Sequence, residues 1–127
     1  SLSRIFSIVD SPAHGLTYCT GSLGANPNND LAGMARRFAP RIAFVHARNL
    51  RFHGQRSFHE VAHHGTAGDI ALIDVMRALV DKNVSVPLRP DHGRMIWGET
   101  GIPGYGLYDR ALGLAYLQGM WEGLQPS

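Results

Sequence analysis

The sequence predicts an α/β fold in which short parallel strands alternate with helices. Three apolar runs, each bounded by turn residues, have the length and composition of buried strands. Each run is followed by a segment whose apolar residues recur at helical spacing, so the pattern gives three βα units. With 127 residues, the chain can build one hydrophobic core but not two. We therefore expect either a small doubly wound open sheet or part of a (βα)8 barrel, which takes about 250 residues when complete.

The first βα unit lies before Pro40. Leu16–Cys19 is a short apolar run that predicts the first strand, and the glycines of the next segment, Thr20–Gly24, predict a loop. Asp30 is a typical helix N-cap residue, and the apolar residues after it continue at helical spacing as far as Phe38. Pro40 then closes the helix, because a proline has no backbone N–H to donate.

The second unit combines an apolar strand with a long polar connection. Residues 41–48 predict a strand that is buried on both faces, and the polar residues 49–68 follow it as a loop. Asp69 predicts the N-cap of the next helix, whose apolar stripe continues as far as Val80.

The third unit and the first residues complete the pattern. Residues 84–90 predict the third strand, although their two prolines weaken the signal. A glycine-rich loop leads to Gly106, and residues 107–124 predict the last helix. Residues 2–9 resemble the end of an earlier helix. Because the chain opens inside a helix, we expect residues 1–127 to be a single-domain fragment from which an upstream part is missing.

Composition narrows the functional classes. The formal net charge is +2, and the eleven arginines are scattered along the chain, which is not the pattern of a nucleic-acid-binding face. No apolar run approaches the roughly 20 residues that span a bilayer, so we expect no membrane association. The single cysteine excludes an internal disulfide and indicates a reducing compartment, for which we expect the cytoplasm.

Each predicted strand ends at a residue that can bind a metal ion. These residues are Cys19, His46 and Asp91. Because the carboxyl ends of parallel strands form the face on which ligands bind, the three side chains would converge. Taken singly, Cys19 could be a small buried hydrophobe, His46 a hydrogen-bonded core histidine and Asp91 a turn or cap residue. Their shared place in the topology favours a metal site.

A second candidate lies in the polar connection. Residues 57–64 resemble a short amphipathic helical turn, in which His59 and His63 would share a face. With Glu60 between them, they match the H-E-x-x-H pattern of zinc proteases. The match is short, and a protease needs a third ligand and a longer helix around the motif, so the metal site at the strand ends is preferred.

Several segments together resemble one enzyme family. They are Cys-Thr-Gly-Ser-Leu-Gly at 19–24, Phe-Val-His-Ala-Arg at 44–48, Ser-Phe-His-Glu at 57–60, Arg-Pro-Asp-His-Gly at 89–93 and Pro-Gly-Tyr-Gly-Leu at 103–107. In this order they resemble the C-terminal part of the mannonate dehydratase family, over essentially the whole chain. The resemblance implies a xylose-isomerase-like (βα)8 barrel, of which residues 1–127 would be the C-terminal part, with the N-terminal half absent. It also implies the dehydration of D-mannonate to 2-dehydro-3-deoxy-D-gluconate in glucuronate catabolism, with Mn²⁺ or Fe²⁺.

The same resemblance assigns roles to residues. It implies that Cys19, His46 and Asp91 are metal ligands, and that a further histidine ligand of the family lies upstream of Ser1. It also makes His92 and Tyr105 the candidates for the catalytic acid and base, with the division of tasks left open.

Further expectations concern the substrate and the partners. Arg48 is a candidate to pair with the substrate carboxylate, or else to anchor a loop, and His59 is a candidate pocket contact. A thiolate ligand alone would favour Fe²⁺ or Zn²⁺ over Mn²⁺. We expect a sugar-acid substrate and a homo-oligomer. The alternatives are a metal-dependent sugar isomerase on the same scaffold and a non-catalytic half-barrel, which would expose strand edges and self-associate.

Overall fold

The computed structural model describes residues 1–54 and 57–126. A single turn of 3₁₀ helix over Ala39–Arg41 leads into the second strand. The helices are α1 (Leu2–Phe6), α2 (Thr20–Gly24), α3 (Leu31–Phe38), α4 (Leu72–Asp81) and α5 (Leu107–Leu124), and the strands are β1 (Leu16–Cys19), β2 (Ile42–His46), β3 (Asn49–Phe52), β4 (Phe58–Val61) and β5 (Leu88–Arg89). Among the helices of these described residues, none has the length and apolar character needed to cross a membrane.

Three parallel strands form the main sheet, in the order β1-β2-β5. In the register of β1 on β2, Cys19 lies beside His46, and in the register of β2 on β5, His46 lies beside Arg89. The predicted α/β class and the three parallel strands are therefore confirmed. The pairing also brings the last residues of all three strands to one end of the sheet.

One hydrophobic core joins the sheet to α3, α4 and α5. Tyr18 of β1 is fully buried, and its hydroxyl donates a 2.7 Å hydrogen bond to the carbonyl oxygen of Leu31, the first residue of α3. Burial raises the pKa of Tyr18, so the hydroxyl stays protonated as a donor. The buried apolar members of the core include Tyr18, Ala35, Val45, Leu50, Leu72, Val75, Met76, Leu79 and Leu117.

The segment predicted as a loop after β1 is instead the short helix α2. Its N-cap residue is Cys19, whose Sγ accepts a hydrogen bond from the backbone N–H of Ser22. Gly21 and Gly24, the residues that indicated a loop, are both buried inside this helix. A side chain at Gly24 would overlap Ile70, so close packing explains this glycine better than turn geometry does.

The polar connection after β2 contains an antiparallel hairpin of β3 and β4. The prediction of a helical turn over residues 57–64 is therefore wrong, because Phe58–Val61 is extended and pairs with Asn49–Phe52. Phe52 and Phe58 face each other across the hairpin with ring centroids 6.2 Å apart. This cross-strand pairing, between segments that are close in sequence, outweighs the weak helical pattern. Gln55 and Arg56 lie outside the described residues.

Two further boundaries differ from the prediction. Helix α4 begins at Leu72 and not directly after Asp69. The Asp69 carboxylate does not cap the helix because it accepts hydrogen bonds from the hairpin instead. Its donors are the Phe52 N–H and Arg51 Nη1, both at 2.8 Å. The third strand of the predicted pattern is β5 in the structure, and it is only Leu88–Arg89. Pro87 and Pro90, on either side of it, have no N–H to donate to a neighbouring strand. At the start of the chain, the helix is limited to Leu2–Phe6.

The last helix, α5, matches the prediction and packs against a buried histidine. The side chain of His63 is nearly inaccessible, and its Nε2 lies 2.9 Å from the carbonyl oxygens of both Ala47 and Pro90. Those two residues follow β2 and β5, so His63 ties together the chain segments that leave the two strands. Gly113 of α5 lies directly against the imidazole ring, and a Cβ atom there would overlap it.

We expect Gly113→Ala to lower stability by about 1–3 kcal/mol, the usual cost of overpacking a core. Gly119→Ala, on the same helix, is the matched control, because an added Cβ meets open space there. The control is expected to raise stability by up to about 1 kcal/mol, as alanine favours helix more than glycine does. Chemical denaturation of both variants tests this pair, and equal effects on stability would contradict it.

Candidate metal centre and active site

Three potential metal ligands converge at the carboxyl ends of the parallel strands. One ligand atom each from Cys19, His46 and Asp91 lies within 4.8 Å of the other two. Cys19 Sγ is 3.8 Å from Asp91 Oδ2, and His46 Nδ1 is 3.3 Å from Asp91 Oδ1. A thiolate, an imidazole and a carboxylate at this spacing form a donor set that suits one divalent transition-metal ion. The structure thus brings together the three residues predicted from the strand ends.

Cys19 is the last residue of β1 and is almost fully buried. Its Sγ lies 3.3 Å from two donors of Ser22, the backbone N–H and the hydroxyl. Both donors complement negative charge on sulfur, which is the form in which cysteine binds a metal. Cys19 is therefore held in a polar environment, unlike the small buried hydrophobe that was its alternative interpretation.

His46 ends the central strand β2 and packs edge-on against the ring of Phe44, with centroids 4.7 Å apart. Burial lowers the pKa of His46, and Arg89 and Arg48 lower it further, while Asp91 acts in the opposite direction. The imidazole is therefore neutral at neutral pH, as a metal ligand must be. Its Nε2 atom is buried and has no hydrogen-bond partner among residues 1–54 and 57–126. An unsatisfied nitrogen of this kind fits a histidine whose environment is completed by a metal.

Asp91 follows β5 and combines a buried carboxylate with an unusual backbone. Its φ is +63°, in the left-handed region that aspartate tolerates better than most residues. Arg48 Nε lies 3.0 Å from Asp91 Oδ2, and Arg89 Nη2 lies 3.2 Å from Asp91 Oδ1. The two arginines compensate the buried negative charge. Backbone strain of this kind is concentrated at functional sites.

The backbone of Arg48 is held by Thr20, the residue that follows β1, and its side chain is held by ion pairs. The Thr20 hydroxyl donates to the Arg48 carbonyl oxygen at 2.7 Å and accepts from the Arg48 N–H at 2.8 Å. The guanidinium then passes over Gly21, where a Cβ would overlap it. It contacts Asp91 on one side and forms an ion pair with Glu60 on the other. Two carboxylates of the protein itself thus surround the arginine predicted to bind the substrate carboxylate, which favours the anchoring role.

Glu60 is a site residue to which the sequence assigned no role, although it lies in the H-E-x-x-H pattern and in the segment 57–60 that resembles the family. From β4 its carboxylate reaches His92, with Oε1 2.6 Å from His92 Nδ1. Side chains alternate between the two faces of a strand, and this alternation would place Glu60 at the site. It can be applied only when β4 is known to be extended.

The H-E-x-x-H interpretation is excluded by where its residues lie. His59 is exposed and stacks on His53 at a centroid distance of 4.6 Å, Glu60 contacts Arg48, and His63 is buried against backbone carbonyls. The three side chains therefore do not converge on one ion. None of the described contacts connects His59 to the metal ligands, so its role as a pocket contact stays a prediction.

Tyr105 is brought beside His92 by the closing of the glycine-rich loop. Gly93 and Tyr105 form a parallel β-bridge, and the Gly106 N–H donates to the Gly93 carbonyl oxygen at 3.0 Å. The rings of His92 and Tyr105 are 6.1 Å apart, and Tyr105 is about half exposed. The two predicted acid–base residues are therefore neighbours, and His92 directly follows the candidate ligand Asp91.

An ion pair anchors this loop to α5. Asp109 is buried and accepts three hydrogen bonds from Arg94, from the backbone N–H, Nε and Nη2, at 2.8–2.9 Å. The side-chain hydrogen bonds to Arg94 lower the pKa of Asp109, against the opposing effect of burial.

Asp109→Asn is expected to cost about 2 kcal/mol of stability at neutral pH, the range for hydrogen bonds to a charged group. Because the pKa of Asp109 is lower in the folded state, this contribution is complete above the ordinary aspartate pKa of about 4. It is lost as the pH falls through the lower pKa of the folded state. Denaturation curves at several pH values test this prediction. The difference in stability between the wild type and Asp109→Asn is expected to disappear as the pH is lowered.

Asp81→Asn is the matched control for Asp109→Asn. Asp81 forms a 3.8 Å ion pair with Arg36 in which both side chains are about half exposed. Such pairs contribute between 0 and about 1 kcal/mol. An Asp109→Asn effect that is no larger than the control's, or that does not depend on pH, would contradict the anchoring role.

Comparison with known proteins agrees with this geometry. The family described as D-mannonate dehydratase (UxuA) matches residues 1–127. The mannonate dehydratase of Enterococcus faecalis is 55% identical over 121 residues, and mannonate dehydratase 2 of Halalkalibacterium halodurans is 56% identical over 124 residues. The alignments cover 95% and 96% of this chain but 34% and 36% of those relatives, so the chain spans about a third of their length.

A solved structure gives the same result in three dimensions. The mannonate dehydratase of Streptococcus suis serotype 2 superposes with a TM-score of 0.89 at 43% sequence identity. The superposition covers 98% of this chain and 38% of that one. Since the family match includes every residue and these two relatives are more than 50% identical to it, the chain belongs to the D-mannonate dehydratase family.

Proposed function

We propose that this chain forms the metal-binding part of an enzyme that removes water from D-mannonate to give 2-dehydro-3-deoxy-D-gluconate in glucuronate catabolism. The observation that carries the proposal is the convergence of Cys19, His46 and Asp91 from three different strand ends, with His92 directly beside them. Membership of the mannonate dehydratase family supports the choice of substrate.

The proposed cofactor is Mn²⁺ or Fe²⁺. The buried Nε2 of His46, which has no hydrogen-bond partner within residues 1–54 and 57–126, and the two donors at Cys19 Sγ support a metal at these side chains. The thiolate favours Fe²⁺ on ligand chemistry, and the family resemblance adds Mn²⁺. When bound, the ion would supply a Lewis acid that lowers the cost of negative charge on a sugar-acid carboxylate.

The reaction requires two proton transfers, and two residues beside the ligands are placed to perform them. A base must remove the proton at C2, next to the carboxylate, and an acid must protonate the hydroxyl that leaves from C3. His92 and Tyr105 share these tasks, because their rings are neighbours and His92 lies beside the candidate ligand Asp91. Arg48 keeps the Asp91 carboxylate in place and contributes positive charge to the site.

The proposed architecture of the whole enzyme is a xylose-isomerase-like (βα)8 barrel, with residues 1–127 as its C-terminal part. The strand order β1-β2-β5 follows the chain, and α3, α4 and α5 share one core with the sheet. Sequential parallel strands with such helices support a barrel over a doubly wound sheet, which carries helices on both faces.

The proposal includes a cellular setting and a quaternary structure. Cys19 must stay reduced to bind a metal, which supports the cytoplasm. The substrate is a small sugar acid, and neither nucleic acid nor a membrane has a part in the proposed reaction. The whole enzyme is also proposed to be a homo-oligomer. Trp97, Ile102 and Leu107 carry large apolar side chains that are exposed on this segment, which the rest of the enzyme or a second copy would cover.

Product analysis tests the proposed reaction. The full-length enzyme that contains this segment is incubated with D-mannonate and either Mn²⁺ or Fe²⁺, and the product is analysed by mass spectrometry. We expect a product that is lighter than the substrate by one water molecule, formed only with metal present. A product of unchanged mass would indicate an isomerase instead, and no product with either metal would favour a non-catalytic module.

A further inference from the structure

Glu60, Arg48 and His92 form a contact triangle next to the metal ligands. Glu60 Oε1 is 2.6 Å from His92 Nδ1 and also forms an ion pair with Arg48 Nη1. Arg48 Nη1 is 3.1 Å from His92 Nδ1. All three side chains are partly buried, with exposed fractions of 27%, 15% and 34% for Glu60, Arg48 and His92.

These distances decide which nitrogen of His92 carries the proton. A carboxylate has only lone pairs to offer, so an atom 2.6 Å from Oε1 must be a donor. His92 Nδ1 therefore carries hydrogen and donates it to Glu60. Arg48 Nη1 is also a donor, and both nitrogens point their hydrogens at the same oxygen. The 3.1 Å between Arg48 Nη1 and His92 Nδ1 is therefore the separation of two donors that share one acceptor.

The opposite nitrogen is left with its lone pair on the side of the metal ligands. In the neutral imidazole, a proton on Nδ1 leaves Nε2 as the acceptor. His92 Nε2 lies 4.0 Å from Asp91 Oδ2, facing the ligand cluster and not the hairpin. A carboxylate that fixes a histidine in this way is the recurring means of orienting a catalytic imidazole.

We infer that Glu60 is a positioning residue that holds His92 with Nδ1–H directed at its own carboxylate and Nε2 available to the substrate. The inference rests on the proposed function, since it requires His92 to take part in proton transfer. It adds to the enzyme a residue of the β3–β4 hairpin, Glu60 of β4. Arg48 completes the arrangement by fixing Glu60 from the other side.

The test is a double-mutant cycle in the full-length, metal-loaded enzyme. Glu60→Gln keeps the shape of the side chain and removes its charge. We expect kcat to fall about 10- to 100-fold, as for other residues that orient a site ligand, with little change in KM or in metal content. In a His92→Asn background, the same Glu60→Gln change is expected to cause no further loss, because the group that it orients is gone.

Glu122→Gln is the matched control, since Glu122 is exposed on α5 and its substitution removes the same charge. It is expected to leave kcat unchanged. Should Glu60→Gln fail to fold, Glu60→Asp enters the same cycle, and its loss of kcat is again expected to vanish in the His92→Asn background.

The cycle separates failure of this inference from failure of the proposed function. If His92→Asn slows turnover but Glu60→Gln slows it by the same factor with and without His92, the positioning role is overturned and the proposed function stands. A kcat unaffected by Glu60→Gln overturns it as well. If His92→Asn itself leaves turnover unchanged, His92 takes no part in proton transfer and the positioning role is overturned with it. The proposed function fails only if the wild-type, metal-loaded enzyme does not dehydrate D-mannonate at all.

Discussion

Replacing Asp91 by asparagine is expected to weaken the binding of Mn²⁺ or Fe²⁺ by more than about 100-fold. Substitution of a residue that only supports a metal ligand already lowers metal affinity by about 10- to 100-fold, and Asp91 is proposed to be a ligand itself. It is the member of the cluster that lies close to both Cys19 and His46. The metal content of the full-length protein after dialysis, measured by elemental mass spectrometry, provides the test.

Asparagine is preferred to alanine at this position for a structural reason. The φ of Asp91 is +63°, and asparagine tolerates the left-handed region almost as well as aspartate does, whereas alanine does not. Asp91→Ala is also expected to lose the metal, with an added cost in stability. Asp74→Asn, exposed in the first turn of α4, is the control for the loss of one negative charge. Normal metal content in Asp91→Asn would remove Asp91 from the ligand set.

Replacing His92 by asparagine is expected to separate catalysis from metal binding. The proposed role in proton transfer predicts that turnover falls by about 10²- to 10⁴-fold, the usual effect of losing a catalytic acid or base. Metal content should stay normal, because the contacts among Cys19, His46 and Asp91 do not involve the His92 ring. Steady-state kinetics with D-mannonate and metal analysis of the same sample measure the two effects together.

A control for this variant lies in the hairpin. His59→Asn also removes one imidazole, but the side chain is exposed and stacks on His53, and none of its described contacts is to a candidate ligand. The comparison therefore also examines the predicted pocket contact at His59. A large loss of turnover in His59→Asn would establish that contact, and near-normal turnover in His92→Asn would remove His92 from the mechanism.

The convergence of the three candidate ligands could be predicted from the sequence because they occupy equivalent places. Cys19 and His46 end their strands and Asp91 lies two residues beyond the end of β5, and parallel strands in adjacent βα units put such residues close together. Cys19 and His46 are register partners in the sheet, which is the relation that this reasoning assumes. The bounds of the last helix, Leu107–Leu124, were also predicted correctly.

The hairpin could not be predicted, and with it the role of Glu60. Residues 57–64 are short and polar, so helical and extended spacing fit them almost equally well, and the deciding interaction is pairing with Asn49–Phe52. Asp69 was predicted as a cap because aspartate favours that position, but its carboxylate is used by Arg51 and Phe52. In both places, contacts between separate segments outweigh a local preference.

The metal's own coordination tests the central claim most directly. We would record the X-ray absorption spectrum of the full-length enzyme loaded with Fe²⁺ or Mn²⁺, alongside a Cys19→Ser variant. The convergence of Cys19, His46 and Asp91 predicts one sulfur ligand together with nitrogen and oxygen ligands in the wild type, and loss of the sulfur signal in the variant. A wild-type spectrum with only nitrogen and oxygen ligands, unchanged by Cys19→Ser, would contradict the metal centre proposed at these strand ends.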